Sequence, residues 1–224
     1  MNATITSTAH YVPEKVLTNS DLEKLVDTSD EWIKSRVGIN QRHVVSDGEA
    51  SSDMSTKVAH SLLEKRGISA ANIDVIIIGT VTPDHPTPST AAIVQNNINA
   101  ENAWAFDLSA ACSGFLYALE TGAKFIESGQ YKTIMVIGVD TMTSILDFED
   151  RETCIIFGDG AGGVILEASK SNTGILGSVL KTDGSGAESL NVLAGGSKYP
   201  ASPTTIKNRQ HYIKQDGKKV FKFA

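Results

Sequence analysis

Residues 73–79, IDVIIIG, and residues 133–139, TIMVIGV, are the two stretches that decide the fold. Both are rich in β-branched residues and are apolar at consecutive positions rather than at every second one. A strand that is apolar on both faces belongs to a sheet that is covered on both sides, as the sheets of α/β proteins are. We therefore predict that these stretches are core strands of such a sheet.

Helical and extended patterns alternate around these two strands. Between them the sequence predicts a Pro- and Thr-rich loop over residues 80–90, a helix near 91–97, a strand near 103–108 and a helix after residue 112. Elsewhere it predicts helices near residues 20–26, 30–37 and 55–66, the last ended by Gly67, and strands at 163–167 and 174–181. This alternation indicates an α/β fold with a mainly parallel core sheet.

The composition excludes several classes of function. The 224 residues are 41% hydrophobic and 21% charged, with a net charge of −6, which does not favour a nucleic-acid-binding protein. The N-terminus lacks the basic and apolar regions of a signal peptide, and no apolar run approaches the ~20 residues of a membrane helix. We expect a cytoplasmic protein with neither nucleic acid nor membrane as a partner.

The last residues of the chain carry a positive charge, opposite to the net charge of the whole chain. Residues 207–224 hold six basic residues and one acidic residue, Asp216. One interpretation is a solvated basic face, and the other is a docking patch for an acidic partner. The stretch QDGKKVFKFA within this segment is typical of a turn followed by the first residues of a helix. We expect the chain to be a fragment of a longer protein, or to be built with a partner.

Residues 105–119, AFDLSAACSGFLYAL, place one of only two cysteines between a predicted strand and a predicted helix. Small residues around Cys112 allow a tight turn, and the N-terminus of the following helix favours a nucleophilic thiolate. The alternative is that Cys112 is a core residue, since free cysteine is often buried. Cys154 lacks this context and is predicted to be buried and structural. Two cysteines without a CxxC pair predict neither a disulfide framework nor a zinc site.

The segment around Cys112 is one of four motifs that point to a known family. The others are TSDEWIKSRVGI from residue 28, TPDHPTPSTAA from residue 82 and DRETCIIFGDGAGGVIL from residue 150. In this order and spacing they resemble the 3-oxoacyl-(acyl-carrier-protein) synthase III family of the thiolase-like superfamily. The resemblance implies a layered αβαβα fold, with residues 1–170 as the first half and residues 171–224 as the beginning of a second half.

The resemblance implies a condensing acyltransferase that initiates type II fatty-acid synthesis. In the family, acetyl-CoA or another short acyl-CoA acylates the cysteine, here Cys112, and CoA leaves. Malonyl-acyl carrier protein then loses carbon dioxide, and its carbanion attacks the acyl-cysteine to give a 3-oxoacyl-carrier protein. The resemblance further implies that no metal or organic cofactor is needed, that acyl carrier protein is a partner and that the enzyme is a homodimer.

Four residues are assigned to the CoA site by the resemblance. It implies that Trp32 stacks on the adenine and that Thr28 forms a hydrogen bond near it. It also implies that Arg36 and Arg151 reach the nucleotide and its phosphate, to which guanidinium groups are suited. From the residues alone, Thr28 and Glu31 form a capping box that begins a helix. On the same basis the stem of Arg36 packs across Trp32, and Arg151 forms a surface salt bridge.

The resemblance assigns the acyl end of the site to Phe157 and Thr87. Some relatives carry Phe at the position of Thr87, so the smaller residue predicts primers longer than acetyl. Gly158, Gly160 and Gly163 formally match a dinucleotide-binding fingerprint, but the residues after them predict a strand and not a helix. We therefore interpret these glycines as tight backbone beside the pocket. The five histidines show no metal-binding pair and are predicted to be structural.

Members of the family continue beyond the position at which this chain ends. The resemblance places a His and an Asn of the decarboxylation site in that continuation, so we expect this chain to be acylated but not to condense malonyl-carrier protein. Lys222 matches a family position near the face that docks the carrier protein. The alternatives are a non-catalytic acyl-CoA-binding fragment and a polyketide-type initiation synthase of the same superfamily.

Overall fold

The computed structural model describes residues 2–169, 171 and 173–223. The strands are β1 (Asn2–Tyr11), β2 (Lys15–Thr18), β3 (Gln41–Val44), β4 (Val75–Gly79), β5 (Trp104–Leu108), β6 (Thr133–Thr141), β7 (Asp159–Ser169), β8 (Leu190–Val192) and β9 (Ile213–Gln215). The helices are α1 (Asn19–Leu22), α2 (Asp30–Arg36), α3 (Ser51–Arg66), α4 (Thr90–Asn97), α5 (Gly114–Glu127), α6 (Arg151–Cys154), α7 (Pro203–Lys207) and α8 (Gly217–Phe223).

The central sheet has five strands in the order β1-β7-β6-β4-β5. β4 pairs in parallel with both β5 and β6. β7 is antiparallel to both of its neighbours, β6 and β1. Four of the five strands therefore run in one direction, and the sheet is mixed only because of β7.

The consecutive apolar residues of β4 pack on both faces of the sheet. Val75 and Ile77 contribute to a core cluster with α5, whereas Ile76 and Ile78 contribute to a second cluster with α3 and α4. All four side chains are fully buried. The α/β fold predicted from IDVIIIG is confirmed as a sheet with helices on each side.

The structure corrects two predicted elements. Residues 174–181 form no strand: the backbone N–H of Ile175 donates to the carbonyl oxygen of Ala3 at 2.9 Å and its side chain packs on the core, but Leu176 and Val179 are exposed. The helix predicted near residues 20–26 ends at Leu22, because the carbonyl oxygen of Leu22 accepts hydrogen bonds from both Leu25 and Val26 and the chain tightens into turns. The predicted stop of α3 at Gly67 is confirmed, with a left-handed φ of 72°.

The chain forms two compact units that are interleaved in sequence. The first unit comprises Met1–Glu14, Val45–Thr141 and Asp159–Leu180 and contains the central sheet. The second unit comprises Lys15–Val44, Met142–Gly158 and Lys181–Ala224. The predicted halves, residues 1–170 and 171–224, are continuous stretches of sequence and do not correspond to these two units. They stay a prediction.

The second unit is built from short elements around a small core. β2 pairs with β3 and β8 pairs with β9, both antiparallel. Leu22, Ile33 and Ile155 are buried together with Cys154, and burial raises the pKa of the Cys154 thiol. Cys154 is therefore a core residue, as predicted. Among the described helices of either unit, none is both long and apolar enough to span a membrane.

Candidate active site

Cys112 lies on a sharp strand-to-helix turn of the first unit. β5 ends at Leu108, a short 3₁₀ helix covers Ala111–Ser113, and α5 begins at Gly114. Ala111 has a φ of 46°, in the left-handed region that side chains other than glycine rarely adopt. Such strain is typical of functional turns. Cys112 is exposed, so the alternative of a core cysteine is wrong.

A close contact between two glycines sets the position of this turn. A Cβ atom on Gly79, the last residue of β4, would lie 2.8 Å from the carbonyl carbon of Gly114 and 3.0 Å from the amide nitrogen of Phe115. Only glycine at position 79 therefore lets the N-terminus of α5 approach the end of β4 this closely. On the neighbouring strand, a Cβ atom at Gly138 would lie 3.1 Å from the Cβ atom of Phe115.

The N-terminus of α5 can stabilise negative charge beside Cys112. The N-cap residue Ser113 makes no side-chain capping hydrogen bond, and the first N–H groups of a helix have no acceptor within the helix. These groups carry a partial positive charge that favours anions. The arrangement is therefore suited to an oxygen that gains negative charge when the sulfur attacks a carbonyl.

The loop that carries Thr87 is anchored at its start by a single carboxylate. Oδ1 of Asp140 accepts hydrogen bonds from the hydroxyls of Thr80 and Thr82 at 3.1 and 3.0 Å and from the backbone N–H of Val81 at 2.8 Å. Thr87 itself is exposed. Thr87 thus lies in the same unit as Cys112, on a loop that follows directly from the central strand β4.

The second unit contains a wide groove that brings together three of the predicted CoA residues. Trp32, Arg36 and Arg151 line this groove, which has a volume of about 960 Å³, together with Lys218 and Phe221 of α8. Trp32 is 38% exposed, so its ring is open to a ligand. Lys218 and Phe221 were not predicted as groove residues, and the signal for them in the sequence is the basic and aromatic pattern KKVFKF.

An arginine lies on the face of the Trp32 ring. The guanidinium carbon of Arg151 is 4.5 Å from the ring centroid, which is a typical cation–π distance. Arg151, which was predicted to form a surface salt bridge, therefore lies on Trp32, whereas the predicted packing of the Arg36 stem across this ring stays a prediction. A planar aromatic ring beside two guanidinium groups suits a ligand with a purine and phosphates.

The helix that carries Trp32 begins at Asp30, as the prediction over residues 30–37 has it, but it is not capped by Thr28. Its N-cap is Ser29, whose hydroxyl accepts a hydrogen bond from the backbone N–H of Trp32 at 3.1 Å. The predicted capping box of Thr28 and Glu31 is therefore wrong. Among the residues that the structure describes, the hydroxyl oxygen of Thr28 is buried and has no hydrogen-bond partner. A buried hydroxyl with unmet hydrogen bonds is rare and calls for a partner.

The remaining predicted site residues do not line this groove. Phe157 is half-buried and Lys222 is exposed on α8, both in the second unit. Gly160 and Gly163 lie within β7, so the residues after Gly158 form a strand and not a helix, as predicted. Within residues 2–169, 171 and 173–223, no three His, Cys, Asp or Glu side chains are grouped to hold a metal ion.

Comparisons with known proteins agree with the motifs. The family model of 3-oxoacyl-[acyl-carrier-protein (ACP)] synthase III matches residues 106–184. The beta-ketoacyl-[acyl-carrier-protein] synthase III of Chlorobaculum tepidum is 58% identical over 227 residues, which cover 100% of this chain and 69% of that protein.

Two solved structures are similar along nearly the whole chain. The 3-oxoacyl-[acyl-carrier-protein] synthase III of Aquifex aeolicus VF5 aligns with a TM-score of 0.88 and 41% identity, covering 99% of this chain and 67% of that one. The priming beta-ketosynthase of the R1128 polyketide pathway aligns with a TM-score of 0.86 and 29% identity, covering 99% of this chain and 65% of that one.

Proposed function

The chain belongs to the 3-oxoacyl-[acyl-carrier-protein] synthase III family, and we propose that Cys112 is the nucleophile that accepts its acyl group. The family consists of condensing acyltransferases that initiate fatty-acid synthesis. One observation carries the proposal: Cys112 is exposed on a strained turn at the N-terminus of α5. This turn also lies within residues 106–184, which match the family model.

In the first step the sulfur of Cys112 attacks the thioester carbonyl of an acyl-CoA. The new carbon–sulfur bond forms as the bond to CoA breaks, and CoA leaves as the thiol after taking up the proton that Cys112 has lost. The partial positive charge at the N-terminus of α5 is suited to the negative charge that develops on the thioester oxygen during the attack. Thioester exchange of this kind needs no change in redox state and no group other than the two thiols.

The two cysteines of the chain provide a direct test of this step. After incubation with acetyl-CoA, mass spectrometry should detect one acetyl group on the chain, located at Cys112. Cys112→Ala should abolish the modification, whereas the control variant Cys154→Ala should retain it because Cys154 is buried in the second unit. Acetylation that persists in Cys112→Ala would show that the nucleophile has been assigned wrongly.

We assign CoA binding to the groove that contains Trp32, Arg36 and Arg151, with Thr28 beside it. The indole ring is placed for an adenine, and Arg151 already lies on that ring, so Arg151 shifts when a purine stacks there. The two guanidinium groups are suited to the phosphates. The acyl chain is assigned to Thr87 and Phe157. The reaction as proposed involves acyl-CoA and acyl carrier protein and no further cofactor.

The second step is decarboxylative condensation. Malonyl-carrier protein loses carbon dioxide, its carbanion attacks the acyl-cysteine, the sulfur of Cys112 is released and a 3-oxoacyl-carrier protein forms. Formation of 3-oxoacyl-carrier protein from malonyl-carrier protein and the acetylated chain tests this step.

A homodimer is supported by the open edge of the central sheet. In the part of the chain that the structure describes, β5 pairs only with β4, and Trp104 on β5 is 43% exposed. Trp104 stacks on Phe106 at 5.4 Å between ring centroids. An edge strand with an exposed aromatic residue is suited to pair with a second copy. Sedimentation analysis should show a dimer that Trp104→Lys weakens.

A polyketide-type initiation synthase is the second candidate. The likeness to the priming ketosynthase favours it, because that fold agrees closely along this chain. The two candidates differ in the carrier protein that they bind and not in the acylation of Cys112. Binding of carrier proteins from fatty-acid and polyketide systems to the acylated chain would separate them.

A further inference from the structure

Arg42 on β3 is a buried cation in the second unit. The residue is 5% exposed. Its Nη1 donates a hydrogen bond to Oδ1 of Asn19 at 2.7 Å, and its Nη2 donates one to the carbonyl oxygen of Ile155 at 2.6 Å. Among the described residues no carboxylate pairs with it, and its Nε has no hydrogen-bond partner.

The burial of this guanidinium costs more free energy than the burial of an apolar side chain would. Burial lowers the pKa of Arg42 from its ordinary value, because the charged form loses its hydration. A buried charge that is held only by neutral oxygens stabilises a fold poorly compared with an apolar side chain of similar size. The two segments that Arg42 connects by its hydrogen bonds therefore indicate its role.

The two hydrogen bonds of Arg42 lead to the two helices that form the groove. Asn19 donates from its amide to Oδ1 of Asp30 at 2.9 Å, and Asp30 is the first residue of α2, which carries Trp32. On the other side, Ile155 is the C-cap residue of α6, whose first residue is Arg151. The forked guanidinium of Arg42 thus connects α2, which carries Trp32, with α6, which carries Arg151.

Gly158 shows that the chain after α6 passes directly over the stem of Arg42. A Cβ atom at Gly158 would lie 2.8 Å from the Cβ atom of Arg42 and 3.1 Å from the carbonyl oxygen of His43. Position 158 therefore requires a residue without a side chain. Any larger residue would displace either Arg42 or the segment that leaves α6.

We propose that Arg42 is a positioning residue of the CoA groove, whose two hydrogen bonds set the separation of Trp32 and Arg151. The proposal rests on the assignment of CoA to this groove. Lysine cannot replace arginine here, because a single ammonium group lacks the planar fork that reaches two acceptors at once. Glycine at position 158 is needed to leave room for the stem of Arg42 that carries this fork.

The test compares two acetyl donors that differ in the nucleotide. Acetyl-CoA uses the groove, whereas S-acetyl-N-acetylcysteamine carries the same thioester without a nucleotide. The measured quantity is the ratio of the second-order rate constants for acetylation of Cys112 by the two donors. In Arg42→Lys this ratio should fall about tenfold, and in the matched control Arg66→Lys, whose arginine pairs with Glu167 in the first unit, it should stay within twofold.

A second variant reaches the same site without removing the cation. Gly158→Ala should lower the ratio as Arg42→Lys does, whereas Gly177→Ala should not, because a Cβ atom there would meet no other atom within 4 Å. Circular dichroism reports whether each variant folds. If Arg42→Lys does not fold, Gly158→Ala decides the question.

Trp32→Ala separates failure of this proposal from failure of the CoA assignment. If Trp32→Ala lowers the donor ratio while Arg42→Lys and Gly158→Ala leave it unchanged, the groove binds CoA and the role of Arg42 is wrong. If Trp32→Ala leaves the ratio unchanged, CoA binds elsewhere and both assignments are wrong.

Discussion

The turn that carries Cys112 and the groove that contains Trp32 differ in what holds them in place. At the turn the determining contacts are between backbone atoms and apolar side chains: Gly79 meets Gly114, and α5 packs on a fully buried strand. At the groove they are hydrogen bonds such as those of Arg42, together with ion pairs such as that of Lys214 with Asp150 beside α6. A turn fixed by packing keeps its geometry when pH and salt change, whereas a groove fixed by charge does not.

An ion-pair network extends this contrast within the second unit. Asp147 is buried and accepts a hydrogen bond from Nε of Arg209 at 2.9 Å. Lys214 donates to Asp150 at 2.8 Å, and Asp150 in turn caps α6 by accepting from the backbone N–H of Glu152 at 3.0 Å. Charged side chains therefore hold the helix on which Arg151 lies.

The largest effect is expected from a methyl group at the turn. In Gly79→Ala the new Cβ atom would lie 2.8 Å from the backbone of Gly114, so α5 must move away from β4. We expect a loss of about 1–3 kcal/mol in the free energy of unfolding, from overpacking, and slower acetylation of Cys112 by both donors. Urea unfolding and mass spectrometry measure the two effects, and Gly177→Ala is the control. Normal acetylation in Gly79→Ala would show that packing does not fix the turn.

The next largest effect is the pH dependence of the ion pair between Asp147 and Arg209 in the second unit. The hydrogen bonds from Arg209 hold the pKa of Asp147 below its ordinary value, which is about 3.9. The pair therefore stabilises the folded state fully above that ordinary value, and the stabilisation is lost as the pH falls through the lower pKa of the folded state. Asp147→Asn should cost about 1–2 kcal/mol at pH 7, discounted because Arg209 is 43% exposed.

The difference between the original chain and Asp147→Asn should shrink steadily as the pH falls below the ordinary carboxyl pKa. Urea unfolding at several pH values, followed by Trp32 emission in a Trp104→Phe background, measures it in the second unit. Asp27→Asn is the control, because Asp27 is exposed in the same unit and forms no ion pair among the residues that the structure describes. A difference that does not depend on pH would contradict the assigned role of the Asp147 carboxylate.

The same contrast explains how much of the molecule could be predicted. The two-faced strand Val75–Gly79 and the turn at Cys112 follow from short patterns, since neighbours in sequence decide them. The partner of Trp32 could not be found in this way, because Arg151 comes from a distant segment and local spacing favours Arg36. The N-cap at Ser29 was missed for a similar reason: two adjacent residues have suitable hydroxyls, and tertiary contacts choose between them. Residues 174–181 are rich in apolar side chains, as strands are, but Leu176 and Val179 are exposed and the segment does not continue along β1 as a strand.

A smaller effect concerns the choice of acyl group. It compares a substitution in the first unit, at Thr87, with one in the second unit, at Trp32. Thr87→Phe places a ring at a position that some relatives fill with Phe, so acetylation with isobutyryl-CoA should fall about tenfold relative to acetyl-CoA. Trp32→Ala should slow both donors equally, because it affects the nucleotide and not the acyl chain. Competition between the two donors, read by mass spectrometry, gives the ratio. A strict preference for acetyl-CoA in the unaltered chain would refute the predicted tolerance of longer primers.

The smallest effect tests whether the second unit also recognises its protein partner by charge. Lys222 is exposed on α8, within the basic residues 207–224, and carrier proteins are acidic. Lys222→Glu should weaken binding of malonyl-carrier protein about fivefold at low salt, which corresponds to about 1 kcal/mol, and the loss should diminish as salt is added. Surface plasmon resonance measures the affinity, and Lys132→Glu in the first unit is the control of equal charge. Equal losses in both variants would mean that net charge and not a local patch attracts the carrier, which would leave the basic segment a solvated face.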